Sequence, residues 1–164
     1  MNDHMKIYTI SFFGHRKIYD IRQVDERLSP LLKELIQTKP YVAFLIGRHG
    51  EFDEYVASVI KRVQKEVGSD NNDLTLVLPY MMADIEYYEK YYDSVIIPEC
   101  VEKVHPKGAI AKRNKWMAEE SDLVICFVER ESGGAYAALK YALESGRKMV
   151  NLAADSFVRQ EFLT

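Results

Sequence analysis

Three loops of the sequence combine glycine with side chains suited to binding an anion. The first reads FFGHR, where Gly14 allows a close approach of the backbone and His15 and Arg16 offer hydrogen-bond donors. Arginine suits phosphate because its planar guanidinium can donate two hydrogen bonds to one group. The simpler alternative is that Gly14 only turns the chain and that Arg16 faces solvent.

The second loop reads IGRHG and places two glycines, Gly47 and Gly50, on either side of Arg48 and a histidine. A helix is predicted to follow, and the backbone N–H groups at a helix N-terminus attract anions with the help of the helix dipole. We therefore expect this loop to contribute to the same type of site as the first.

Acidic residues follow the second loop at the start of the predicted helix. Carboxylates in a first helical turn, here Glu51 and Asp53, act more often as helix caps than in catalysis. They could instead accept ribose hydroxyls, as acidic residues do in dinucleotide sites. If the chain is an enzyme, Glu51, Asp53 and Glu131 are the carboxylates that we expect to act.

The third loop reads ERESGG and again precedes a predicted helix, with Gly133 and Gly134 at its end. It repeats the arrangement of the second loop, and Ser132 beside the glycines could either cap the helix or donate to a phosphate. Arg113 and Asn114 lie on one side of the preceding helix, where their spacing favours a solvated face over contact with a ligand.

The segments that carry these loops alternate between short apolar strands and helical patterns. This alternation predicts one α/β domain over residues 1–164, with a Rossmann-like, doubly wound and mostly parallel sheet and helices on both faces. Ligands bind such sheets beyond the carboxyl ends of the strands, where the three loops lie. The predicted strands are residues 6–13, 41–46, 74–79, 94–97, 122–128 and 148–153.

Five helices are predicted between these strands. The first has Asp20 as its N-cap and Gln23 as the partner in a capping box. The others are expected over residues 53–68, 84–92, 109–121 and 134–146. Residues 154–164 form either a short terminal helix or a frayed tail.

The composition excludes several classes of protein. The 164 residues carry 22 Lys and Arg against 25 Asp and Glu, a net charge of −3, so there is no general electrostatic attraction to DNA. No apolar run approaches the ~20 residues that span a bilayer, and no signal peptide is recognisable. We therefore expect a cytoplasmic protein, with Cys100 and Cys126 as reduced thiols.

The sequence lacks the usual motifs of metal and cofactor chemistry. Its four histidines are isolated from one another and from the two cysteines, so no metal site is predicted. It also lacks a P-loop, the nucleophile elbow of serine hydrolases and a complete dinucleotide-binding glycine motif. We therefore predict that the protein needs no metal and no cofactor.

Taken in order along the chain, the loop motifs resemble those of the YpsA-like family of bacterial proteins. That family belongs to the SLOG superfamily, together with the LOG phosphoribohydrolases and the DNA-processing protein DprA. The resemblance covers nearly the whole chain and implies a Rossmann-like fold, a nucleotide-type ligand and the option of a homodimer. The matching residues are Gly14, His15, Arg16, Gly47, Gly50, Phe52, Asp53, Arg113, Asn114, Trp116, Met117, Gly133 and Gly134.

The chain departs from the pattern of its relatives in two places. In the second loop Arg48 replaces a glycine, where it could either close the loop or add a contact to phosphate, and Glu51 precedes the phenylalanine. In the fifth helix the catalytic glutamate of the LOG pattern falls on Ala138. Alanine cannot stabilise the oxocarbenium-like sugar that forms when an N-glycosidic bond breaks, so the resemblance implies binding without cleavage.

These observations predict a sensor or regulatory protein that binds a nucleotide or a nucleotide-derived ligand. The alternative is an N-glycosidase or phosphoribohydrolase acting on nucleoside monophosphates or related nucleotides. A third hypothesis makes the fold a scaffold for a protein partner, contacted through the tyrosine-rich segment 87–92. A nucleic acid partner is disfavoured, because the chain is acidic and shows no long basic stripe with interleaved aromatic residues.

Overall fold

The computed structural model describes residues 6–153, which form six strands and five α-helices. The strands are β1 (Ile7–Gly14), β2 (Tyr41–Ile46), β3 (Asn72–Val77), β4 (Ser94–Ile96), β5 (Leu123–Phe127) and β6 (Lys148–Asn151). The helices are α1 (Ile21–Thr38), α2 (Glu51–Val67), α3 (Ile85–Tyr91), α4 (Pro106–Glu120) and α5 (Gly134–Glu144), and a short 3-10 helix spans Glu99–Val101. Our expectation for residues 154–164 lies outside the described residues.

The six strands form one parallel sheet in the order β4-β3-β2-β1-β5-β6. The predicted doubly wound α/β fold is therefore confirmed. The direction of strand order reverses at β1, which pairs with β2 on one side and with β5 on the other. The carboxyl ends of β1 and β5 flank this switch point, which is the usual ligand position in open α/β sheets.

Helices cover both faces of the sheet because its central strands are apolar on both sides. On one face α1 and α2 bury branched residues at helical spacing, including Leu28, Leu32 and Val56. On the other face α4 and α5 bury a second apolar cluster, which includes Met117 and Ala142. Within residues 6–153, no helix is long and apolar enough to cross a membrane.

Polar residues at the start of β3 explain why this strand begins two residues before the predicted position. The side chains of Asn72 and Asp73 both have partners, so the chain can enter the sheet here without leaving buried polar groups unpaired. Asn72 Nδ2 donates to the Gly68 carbonyl at 3.1 Å, and the Tyr41 hydroxyl donates to the Asp73 carboxylate at 2.5 Å.

The sequence predicted that the five helices exist, but it predicted less well how they begin. α4 begins at Pro106 and not after Gly108, since proline is favoured in a first helical turn, and His105 Nδ1 accepts the Lys107 N–H at 3.2 Å as a cap. The predicted capping box of α1 is wrong, because the Asp20 side chain accepts no hydrogen bond from the helix.

Candidate functional site

A cavity of about 350 Å³ lies at the carboxyl edge of the sheet, beside the switch point. Its walls come from the loops after β1, β2 and β5 and from one face of α4. Small-molecule sites usually have volumes of roughly 300 to 1,000 Å³. The cavity is lined by Phe12, Phe13, Gly14, His15, Arg16, Gly47, His49, Asp53, Ile110, Arg113, Asn114, Met117, Arg130, Gly133, Gly134 and Ala135.

Arg113 is a buried cation in the wall of this cavity. Its side chain was expected on a solvated face, but the residue is only 3% exposed. α4 carries it over the end of β3, where Nη1 donates to the Val77 carbonyl at 2.7 Å. Its Nε donates to Asn114 Oδ1 at 2.9 Å. The spacing argument was therefore wrong, because it did not foresee that α4 packs this face against the sheet.

The charge of Arg113 is not neutralised by a contacting carboxylate. Among residues 6–153, the only ion pairs are Lys33–Glu66 and Arg62–Asp25. Burial lowers the pKa of the Arg113 guanidinium, while Asp53 and Tyr80 raise it. An arginine nevertheless keeps its proton in proteins. A buried charge that no contacting carboxylate balances is costly, so this side chain is suited to an anionic ligand.

Three glycines near the cavity allow protein segments to pack closely. A Cβ atom at Gly47 would lie 2.9 Å from Arg113 Nη1, and one at Gly14 would lie 2.1 Å from Phe52 Cγ. A Cβ atom at Gly50 would lie 2.5 Å from Arg16 Cα. We expected these glycines to admit a ligand, whereas the observed contacts are with neighbouring parts of the protein.

The glycines of the third loop have a different environment. Gly133 has φ +89°, a backbone conformation that favours glycine, and it precedes the first residue of α5, Gly134. Nothing lies within 4 Å of a Cβ atom at either position. Both glycines line the cavity, so the N-terminus of α5 begins at its wall. Gly133 is the N-cap and Ser132 makes no capping hydrogen bond, so that alternative for the serine is wrong.

Two further arginines, Arg16 and Arg130, bring exposed guanidinium groups to the cavity. The backbone of Arg16 is fixed because its carbonyl accepts the N–H of Glu51 at 2.8 Å. This bond ties the loop after β1 to the start of α2. The side chain of Arg16 is left at the mouth of the cavity, where the sequence had placed a phosphate contact.

His15 joins two walls of the cavity. It is only 4% exposed, and its Nε2 accepts the N–H of Glu129 at 2.9 Å. Burial lowers the pKa of the imidazole, as does the nearby Arg130, against a smaller opposite effect of Glu129. The ring is therefore neutral at physiological pH, and this nitrogen is an acceptor and not the donor that we expected. It connects the loops that follow β1 and β5.

Asp53 and His49 face the cavity from the start of α2. Asp53 Oδ2 accepts the N–H of His49, which precedes the helix, at 3.1 Å, so the carboxylate fixes the loop after β2 and does not cap a helical N–H. Burial raises the pKa of Asp53 to about 6, although the His49 N–H and Arg113 oppose this rise. Burial lowers the pKa of His49 to about 4, and both Arg113 and Arg16 lower it further.

The two other candidate carboxylates do not line the cavity. Glu51 Oε2 accepts the N–H of Ile18 at 3.1 Å and so supports the loop after β1. Glu131 is exposed on the third loop. Ala138, which the resemblance aligned with the catalytic glutamate of the LOG pattern, is buried in the packing of α5. Asp53 is therefore the single carboxylate among the cavity-lining residues.

Arg48 lies outside the cavity, in a separate cluster of tyrosines. Its guanidinium carbon is 4.9 Å from the centroid of the Tyr88 ring, and hydrogen bonds with Tyr88 and Tyr92 raise its pKa against the effect of burial. The same cluster includes Tyr87 and Tyr91. The side chain of Arg48 is thus directed toward α3 and not toward the cavity.

The charge of the cavity wall is strongly positive. Three arginines, Arg16, Arg113 and Arg130, face one carboxylate, Asp53, and the two histidines have lowered pKa values. Unpaired backbone N–H groups at the start of α5 add a partial positive charge. The arrangement can bind an anion with several oxygen atoms, such as a phosphate group.

Comparison with known proteins concerns the fold. No protein-family model and no curated protein matches the chain. The structure is similar to that of DNA processing protein A (DprA) from Streptococcus pneumoniae, with a TM-score of 0.63 and 13% identity over 88% of this chain and 50% of DprA. It is also similar to a structural-genomics target, TM1055, with a TM-score of 0.53 and 10% identity over 87% of this chain and 72% of that protein.

The chain therefore shares its fold with DprA and TM1055. It spans about half the length of DprA, so it corresponds to only one part of that protein. The two likenesses support the fold that the motif order implied.

The sequence candidates do not include two titratable residues of the cavity wall, Arg130 and His49. Arg130 stands three positions before Gly133, and His49 stands between the two glycines of the second loop. Their positions in loops that follow strands were the available signal. This signal is weak, because neither residue belongs to a motif of its own.

Asp53 and His49 are expected to give opposite pH dependences of stability. The pKa of Asp53 rises from its ordinary value of 3.8 to about 6, so the folded state binds more protons in this range and stability from this group falls as pH rises. The pKa of His49 falls from 6.5 to about 4, so the unfolded state binds more protons and stability from this group rises with pH.

Variants can separate these two effects. Relative to the wild type, Asp53→Asn should gain unfolding free energy as pH rises from 3.8 to about 6. Relative to the wild type, His49→Gln should lose unfolding free energy as pH rises from about 4 to 6.5. Urea unfolding over this pH range measures both differences. A constant difference from the wild type in either variant would contradict the assigned pKa shift.

Proposed function

We propose that this chain is a SLOG-type sensor or regulatory protein that binds a nucleotide or a nucleotide-derived ligand in the cavity, without turnover. The observation that carries the proposal is the buried guanidinium of Arg113, which has no contacting carboxylate among the described residues. A phosphate group would supply the missing negative charge and accept paired N–H donors. Residence in the bacterial cytoplasm and membership of the YpsA-like family are part of the same proposal.

The cavity offers partners for more than a phosphate. Arg16 and Arg130 would neutralise further charge from opposite walls, and the N-terminus of α5 would add backbone donors near Gly134. Asp53 is placed to accept a ribose hydroxyl, as acidic residues do in other doubly wound folds. A ligand with both a sugar and a phosphate therefore fits this set of side chains better than an inorganic anion does.

The carboxylates support binding over cleavage. Glycosidic bond hydrolysis usually uses a pair of carboxylates on either side of the scissile bond. Here Asp53 alone lines the cavity, since Glu51 holds the Ile18 N–H and Glu131 lies outside. Ala138 offers no carboxylate from α5.

A second candidate function is hydrolysis of an N-glycosidic bond in a nucleoside monophosphate or a related nucleotide. One observation favours it, which is that the pKa of the cavity-lining carboxyl of Asp53 is raised to about 6. A carboxyl with a pKa near the working pH can transfer protons in both directions. If this function is correct, Asp53→Asn should abolish the release of free base.

Equilibrium dialysis would distinguish the two candidates. The purified protein is dialysed against a mixture of nucleoside monophosphates, NAD, ADP-ribose and cyclic nucleotides, and each species is quantified by mass spectrometry. We expect one intact nucleotide to be retained. Free base that is absent from a heat-denatured control would instead indicate the hydrolase, and retention of no anionic species would contradict both candidates.

Arg16→Ala is expected to weaken binding of the retained nucleotide by about tenfold, because a charged hydrogen bond to phosphate is lost. The residue is exposed, so the substitution should leave the fold intact. Arg22→Ala is the matched control, since it removes an exposed arginine of α1 that does not line the cavity. Titration calorimetry measures both affinities. Equal losses in the two variants would show only a general effect of net charge.

The partners that we propose follow from the same chemistry. A small nucleotide-type molecule is the main partner, and a homo-oligomer is compatible with the tyrosine cluster formed by Tyr87, Tyr88, Tyr91 and Tyr92. DprA is named as a DNA processing protein, but we do not propose nucleic acid as a ligand here. The net charge of −3 gives no general attraction to polyanions.

A further inference from the structure

A second hollow, of about 250 Å³, adjoins the cationic cavity. We call it the α4–α5 groove because its walls are one face of each of these two helices. Ile110, Asn114 and Gly134 line both the groove and the cavity, so the two spaces share a wall. One ligand could therefore occupy both without crossing bulk solvent.

The groove differs from the cavity in its chemistry. Its walls carry the small side chains of Ala111, Ala137 and Ala138 and the ring of Tyr141, with Ile110 at the junction. Lys107 and Lys115 are its only charged lining residues, and Lys115 Nζ lies 5.4 Å from the centroid of the Tyr141 ring. No carboxylate lines it. A flat apolar group fits the alanine and tyrosine side chains of these walls.

Asn114 stands at the junction with its amide orientation fixed. The Nε–H of Arg113 can only donate, so the atom that it contacts at 2.9 Å must be the amide oxygen of Asn114. The Nδ2 donors of this amide have no partner in the part of the chain that the structure describes. A ligand that extends from the cavity into the groove would meet these donors at the point where the polar wall of the cavity gives way to the mostly apolar wall of the groove.

We propose that the ligand of the cationic cavity carries a nucleobase that lies in the α4–α5 groove and accepts a hydrogen bond from Asn114. The inference rests on the proposed function, because it assigns one part of the same ligand. It adds the part of the site that distinguishes a nucleotide from a sugar phosphate. Nucleobases present ring nitrogens and carbonyl oxygens as acceptors at their edges, and their faces are apolar enough to pack against alanine and tyrosine side chains.

Two variants fill the groove from opposite walls. Ala111 in α4 and Ala137 in α5 are both exposed, and neither lines the cationic cavity. Leucine is a good helix former, so Ala111→Leu and Ala137→Leu should fold normally. Ser58→Leu, on an exposed face of α2, serves as the control for an added surface leucine.

The probes are AMP, GMP, CMP and UMP, with ribose 5-phosphate as the probe that lacks a base. We expect both groove variants to lose about tenfold or more in affinity for the nucleotide that binds best, while their affinity for ribose 5-phosphate stays within about twofold of the wild type. Ser58→Leu should bind every probe as the wild type does. Titration calorimetry measures all of these affinities.

The other outcomes overturn the inference in distinguishable ways. If both groove variants bind the best nucleotide as the wild type does, the base does not occupy the groove, although the proposed function stands. If the wild type binds none of the five probes and retains no species of the dialysis mixture, the proposed function fails together with this inference. If the variants change the oligomeric state in light scattering and leave nucleotide binding unaltered, a second copy of the chain occupies the groove.

Discussion

Arg113→Met is expected to weaken nucleotide binding by about a hundredfold or more, the order of loss seen when one partner of a buried charged pair is removed. The residue is 3% exposed and its guanidinium faces the cavity without a contacting carboxylate. A bound phosphate would be its counter-ion in a site with little water, where the interaction is strong. Methionine keeps much of the length of the side chain and removes the charge.

The control for this variant is Arg147→Met. Arg147 also donates to a buried carbonyl, that of Ser121 at 3.3 Å, but it lies at the opposite edge of the sheet, before β6. Both variants therefore lose a guanidinium and one hydrogen bond to the backbone. Calorimetric titration with the nucleotide retained in dialysis measures the effect. An Arg113→Met affinity that matches that of Arg147→Met would remove the central support for the proposed function.

Gly14→Ala should destabilise the protein by about 3 kcal/mol, at the upper end of the usual cost of overpacking a core. The new methyl group would lie 2.1 Å from Phe52 Cγ, and Phe52 is fully buried against Phe127, with ring centroids 6.4 Å apart. The ring therefore has no open space into which it could move. The expected cost is one of packing and not of backbone conformation.

Gly134→Ala provides the comparison, because it makes the same chemical change where nothing lies within 4 Å of the new atom. Its effect should be within about 0.5 kcal/mol of zero or slightly stabilising, since alanine favours a helix more than glycine does. Urea unfolding at neutral pH measures both variants. Similar midpoints for Gly14→Ala and Gly134→Ala would mean that the contact with Phe52 relaxes at little cost.

The fold could be predicted from the sequence because its signals are local. Apolar strands alternate with helical patterns, and glycine-bearing loops follow β1, β2 and β5 where a parallel sheet gathers its ligand contacts. The structure brings these three loops together around one cavity. The start of β3 and the start of α4 were missed because each depends on particular hydrogen bonds, made by Asn72 and by His105.

The roles of individual site residues were harder to predict because they depend on contacts between distant segments. Gly14 and Gly47 were interpreted as openings for a ligand, yet they accommodate Phe52 from α2 and Arg113 from α4. Arg113 itself is flanked by lysine and asparagine in a strongly polar stretch, which predicts a solvated face. Its burial follows from the packing of α4 against β1 and from the hydrogen bond to the Val77 carbonyl at the end of β3, long-range contacts that no local pattern encodes.

The central position of β1 determines how a bound ligand would affect local opening of the sheet. β5 and β6 are attached to the rest of the sheet through their pairing with β1. The cavity walls come from both sides of the boundary between β1 and β5, because His49 and Asp53 follow β2 and Arg130 follows β5. A molecule that contacts both walls connects the two parts of the sheet. Its binding free energy therefore adds to the free energy needed to separate β5 from β1 in a local opening. We therefore expect the backbone amides of β5 and α5 to exchange their hydrogens more slowly in the ligand-bound protein than in the free protein.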